Sequence, residues 1–183
     1  MNVRTKFSLK FLSVLSLIAQ IVFVLVAILL VFCGVTMFIP FIRDEVGGNF
    51  TLGTKTINMN GPLTGDIYML VGLLFLALIV LGVLFLIAGA LKKLLGNIER
   101  QQFFTVNNLY YLRRILIYIW SGIILQVIFI IISSVWGVYG NMGSLFSDLG
   151  YLLASFAFLA VFYTSYTLIK NGTELKNENN SFV

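Results

Sequence analysis

Apolar residues fall into four long blocks along this chain, and the polar residues are confined to the intervals between them. The blocks run from about residue 11 to 41, 67 to 91, 115 to 138 and 149 to 169, and none contains a charged residue. Each reaches or exceeds the roughly 20 residues that an α-helix needs to cross a hydrocarbon layer about 30 Å thick. On an insertion scale a central Leu, Ile, Phe or Val contributes about −0.3 to −0.6 kcal/mol, so blocks of this density partition into lipid as helices. A soluble core is a poor alternative, because a helix that is apolar all round leaves nothing to present to water. The pattern predicts an all-α membrane protein: a bundle of four transmembrane helices forming one integral membrane domain.

Composition agrees. Of 183 residues, 60% are hydrophobic and 10% are charged, against about 25% charged in a soluble globular domain. The lipid bilayer is therefore the first partner expected.

The formal net charge of +5 sharpens the picture through its distribution. Arg4, Lys6 and Lys10 precede the first block, Lys92, Lys93, Arg100, Arg113 and Arg114 lie between the second and third, and Lys170 and Lys176 follow the fourth. Only Arg43 and Lys55 fall in the remaining intervals, beside Asp44, Glu45 and Asp66. The positive-inside rule then places both termini and the middle connection in the cytoplasm. The basic residues flank apolar helices and form no long run, so no nucleic-acid partner is expected. The first block follows three basic residues, as a secretory signal does, but its apolar region is about twice the usual length and no small-x-small site follows. It reads as a retained anchor that tilts or rises above the membrane and ends near Pro40.

The interval from residue 42 to 66 holds Gly47, Gly48, Gly53, Gly61, Pro62 and Gly65 around a threonine-rich, loosely alternating stretch from Phe50 to Met59, with Asn60-Gly61 as a turn signal. A short hairpin and an irregular polar loop both fit. The sequons at Asn49 and Asn171 are read as chance matches, since Asn171 falls on the basic side.

The middle connection, residues 92 to 114, is the most patterned polar segment. Thr105 suits a helix N-cap. Phe103 and Phe104 suit a membrane interface, and Tyr110, Tyr111 and Trp120 an aromatic belt. Arg113 and Arg114 are placed to reach headgroup phosphates. An interfacial elbow explains all of this, and a docking site for a partner also fits.

Few chemistries are open to such a chain. It contains no histidine and a single cysteine, Cys33, so neither a metal site nor an internal disulfide is expected, and no cofactor. No phosphate-binding loop, nucleophile elbow or paired carboxylate is present. The spans carry no charge of the kind that proton relays use. Their polar residues include Gln20, Gln126, Ser133, Ser134, Ser155, Thr164, Ser165 and Thr167. Gln20 and Gln126 are the costliest to leave in lipid, and both are expected to point into the bundle, as helix–helix glue or as the lining of a cavity. No enzymatic activity is expected.

Two segments carry a resemblance. Asn97-Ile98-Glu99-Arg100-Gln101-Gln102-Phe103-Phe104-Thr105, then Asn108 and Leu112-Arg113-Arg114-Ile115, is similar to the middle loop of a family of bacterial four-span membrane proteins catalogued as domain of unknown function 2975. The tail, with Gly172, Glu174-Leu175-Lys176, Glu178-Asn179 and Phe182-Val183, resembles that family's ending after the fourth span. The chain departs from the pattern at Gln102, where glycine is usual, and at Asn180, where aspartate is usual. The resemblance implies a bacterial plasma membrane protein, without an established enzymatic activity, whose relatives often lie beside a small helix-turn-helix regulator.

Three readings follow. A regulatory, sensing or partner-binding module would use Phe103, Phe104, Thr105, Asn108, Arg113, Arg114, Gly172 and Glu178 to hold a membrane protein, a second copy of itself or a peptide ligand. A self-protection protein would shield the cell from a membrane-active peptide. A small pore or transporter subunit would need an oligomer enclosing a polar path past Gln20 and Gln126.

Overall fold

A computed structural model describes residues 3–36, 49–52, 55–58, 65–138 and 142–181. Four helices make up nearly all of it: α1 (Val3–Thr36), α2 (Gly65–Glu99), α3 (Val106–Val135) and α4 (Met142–Ser181), with strands β1 (Asn49–Leu52) and β2 (Lys55–Asn58) between α1 and α2. All four helices are long and apolar enough to cross a membrane. The fold is the expected all-α four-helix bundle of a multi-pass membrane protein.

The helices are longer than the apolar blocks that seed them. At 1.5 Å per residue, the 40 residues of α4 span about 60 Å, twice the hydrocarbon thickness. Two sequence-based boundaries shift as a result. The connection expected over residues 92–114 contracts to a turn, because Leu94 and Leu95 are buried and extend the packed face of α2 past the apolar block. Leu94 joins a core cluster with Leu112 and Ile115 of α3. The tail expected from residue 170 onward continues as helix to Ser181. No proline interrupts it, and an ion pair between Lys170 Nζ and Glu174 at 3.8 Å links successive turns. Pro40, Arg43, Asp44, Glu45 and the closing Phe182-Val183 lie outside the described residues.

Contacts run in chain order, α1 on α2, α2 on α3 and α3 on α4. Short connections favour antiparallel neighbours, and cross-helix pairs confirm that arrangement. Ser16 meets Ala88, Asn97 meets Asn108, Asp66 meets Trp136, and Gln126 meets Ser155. Among the described residues, α1 and α4 share no comparable contact. The bundle therefore has an open side between its first and last helices. It also has two distinct ends, a basic end at the α2–α3 turn and a hairpin end at the strands.

Buried positions on α3, namely Asn108, Leu112, Ile115, Ile119 and Ile123, recur every three or four residues and form one stripe. The four apolar residues of the stripe pack with Ala90 and Leu94 of α2. A second cluster lies at the hairpin end, where Ile57 of β2 inserts among Ile67, Leu70, Leu73 and Trp136. The hairpin is antiparallel, with Phe50 opposite Ile57 and Thr51 opposite Thr56. Of the two readings open from sequence, the hairpin is the one formed. Ile57 gives it a reason to dock, since a lone two-stranded hairpin is only marginally stable in water.

Elsewhere the large apolar side chains face outward, including Leu29, Phe32, Phe75, Ile131, Leu153 and Phe158. An exposed apolar surface of this extent on every helix matches lipid as the surrounding solvent.

Candidate functional site

Ordered polar chemistry concentrates at the basic end. α2 stops in a Schellman arrangement: Gln102 N–H donates to Asn97 O at 3.0 Å and Gln101 N–H to Ile98 O at 2.9 Å. Gln101 holds the left-handed position this cap requires, with φ of 63°, where glycine is normally preferred. The sequence resemblance had drawn attention to Gln102 instead, one residue later.

Asn108 fastens the turn. Its side-chain amide donates to Gln102 O at 2.5 Å and to Phe103 O at 2.8 Å, and its carbonyl oxygen accepts from Asn97 Nδ2 at 2.8 Å. Thr105 caps α3 as expected, its hydroxyl accepting from the Asn108 backbone N–H at 3.4 Å. Asn108 is fully buried. Its side chain thus organises the turn from within and offers no surface to a partner.

The turn places Phe103 and Phe104 side by side, both exposed. The ring of Phe104 lies against Gly172 of α4, so closely that a Cβ at residue 172 would overlap it. The structure thus joins the two segments singled out from sequence. Thr173 is buried beside this contact and returns its hydroxyl to Ile169 O at 2.7 Å. Arg113, Arg114 and Glu178 are exposed. Arg114 stacks over the Tyr110 ring at 4.5 Å and Lys93 over the Tyr111 ring at 5.9 Å, while the two tyrosines meet edge to face at 5.7 Å.

Comparison with known proteins returns no match to any family model, curated protein or solved structure. The site is therefore read from its own residues.

The two glutamines occupy different interfaces. Gln20 of α1 lies against Gly89 of α2, where an added Cβ would come 2.9 Å from its Nε2. One turn earlier, buried Ser16 donates to Ala88 O at 2.6 Å. Sequence reasoning missed Ser16 because serine is common in membrane helices and only its partner makes it distinctive. Gln126 of α3 bridges to α4, accepting from Ser155 Oγ at 3.2 Å and donating to Asp148 O at 3.5 Å. Gly122, one turn before Gln126, faces Val83 of α2. Gln20 and Gln126 are thus about ten residues of helical rise apart along the bundle, on the order of 15 Å. They do not converge on one path.

Gln126 and Ser155 do reach a cavity of about 770 Å³. Its walls include Val26 and Leu30 of α1 and Phe158 and Phe162 of α4, with Val80, Leu84 and Ile123 among the residues of α2 and α3 behind them. It is the space left where α1 and α4 fail to close, and it is almost wholly apolar. Among the described residues no cluster of His, Cys, Asp or Glu could hold a metal ion. Cys33 is exposed on α1.

Proposed function

We propose that this chain is a non-enzymatic regulatory or partner-binding module of a bacterial plasma membrane, with both termini in the cytoplasm, and that it holds a membrane protein partner through its basic end. The observation that supports the reading is the docking of Phe104 on Gly172, which unites the α2–α3 turn and the end of α4 into one surface beside exposed Phe103. Phe104 is committed to the contact with α4, which leaves the neighbouring Phe103 exposed on the same turn. Aromatic residues fixed on a rigid element are typical anchors of protein interfaces, and here the buried Asn108 fixes the turn that carries them.

A photo-crosslinking amino acid placed at Phe103 in intact cells tests the reading. The expected result is a discrete protein adduct, lost in the Arg113→Ala variant and absent when the probe replaces Val135 at the opposite end. Lipid adducts alone at residue 103, with membrane insertion intact, would rule it out.

A further inference from the structure

We infer that the stacked cations and tyrosines on α2 and α3 form a binding site for an anionic phospholipid. Lys93, Tyr111, Tyr110 and Arg114 make a continuous ladder of cation, ring, ring and cation, with steps of 5.9, 5.7 and 4.5 Å. Each ring holds its cation in place electrostatically, so less side-chain freedom is lost when a ligand arrives. Among the described residues neither cation pairs with a carboxylate, so their charge is available to an anion. Tyr111 is anchored by packing against the central core cluster, whereas Tyr110, Lys93 and Arg114 are exposed.

Position and helical register identify the anion as a lipid headgroup. The ladder lies where the apolar block of α2 has just ended and that of α3 is about to begin, which is the level of headgroup phosphates. Below it on the same face of α3, at steps of three, four or seven residues from Arg114, come Ile117, Ile124, Ile128 and Ile131, all exposed. The headgroup phosphate sits at Arg114, Lys93 adds a second positive charge at the other end of the ladder, and an acyl chain runs down the isoleucine track. A free phosphate would have no use for that track. The site stands independently of the protein partner proposed above.

Native mass spectrometry and thermal unfolding of the full chain in detergent test the site, with phosphatidylglycerol, phosphatidylcholine or glycerol 1-phosphate added. The wild type is expected to retain phosphatidylglycerol and to melt higher with it than with either other additive. The Lys93→Gln/Arg114→Gln variant is expected to lose this preference, with affinity down by roughly an order of magnitude. Lys170→Gln/Lys176→Gln removes the same charge from the same end and should keep the preference. Equal losses in the two double variants, an undiminished preference in Lys93→Gln/Arg114→Gln, or an equal response to glycerol 1-phosphate would overturn the proposal.

Discussion

The ring of Phe104 lies over the backbone of Gly172, and this contact ties the α2–α3 turn to a helix that begins on the far side of the bundle. It explains a glycine inside the last quarter of α4, where an alanine would suit helix propensity better by about 1 kcal/mol. Lipid reinforces the logic. Apolar side chains gain little by leaving lipid for one another, so close backbone approach and hydrogen bonds supply more of the helix–helix specificity.

Gly172→Ala alone is expected to lower the unfolding temperature, because the added methyl displaces the ring and outweighs the propensity gain. In a Phe104→Ala background the same substitution should raise stability. The double-mutant cycle in detergent is expected to give a coupling of about 1 kcal/mol or more, and additive effects would contradict the contact.

Gln101→Gly should stabilise the protein. A non-glycine residue in the left-handed region costs about 1–2 kcal/mol, and the Schellman hydrogen bonds on either side use backbone atoms only. A higher unfolding temperature with unchanged helix content is the outcome that checks this.

Asn108→Ala removes three hydrogen bonds at once and leaves the carbonyls of Gln102 and Phe103 without their side-chain donor. A loss of about 2–4 kcal/mol is expected. Trypsin should then cut after Arg100 faster than in the wild type, while the span content by circular dichroism stays constant. Asn108→Asp, which keeps only the bond from Asn97, should be nearly as damaging.

At the hairpin end, Trp136 Nε1 donates to Asp66 Oδ1 at 3.0 Å above the cluster that receives Ile57. Trp136→Phe keeps most of the packing and loses the bond, at an expected cost of about 1.5–3 kcal/mol for a charged acceptor. Amide exchange in β1 and β2 should accelerate while exchange in the α2–α3 core does not. Uniform acceleration throughout would show that the hairpin end is not an independent unit.

The sequence by itself determined the solvent and the count. Four uncharged blocks, each long enough to cross a bilayer, have no other stable disposition, and that follows from transfer energies summed over about 20 residues. Thr105 was also legible as a cap, because capping is a local relation between a hydroxyl and an N–H three residues on. The hairpin was half legible: alternation allowed it, but the turn signal at Asn60-Gly61 lies outside the described residues and beyond β2 rather than between the strands, and Ile57 needed the ends of α2 and α3 to pack against.

Tertiary structure alone decided which residues of similar type matter. Gly72, Gly82 and Gly89 look equivalent in the chain, yet an added Cβ would meet open space at the first two and the Gln20 amide at the third. Asn108 reads as an exposed docking residue until three partners close around it. Gln20 and Gln126 both point inward as expected, but to separate interfaces at different depths. Periodicity records which face of a helix avoids lipid or water, whereas partner, depth and register across helices depend on atoms tens of residues away.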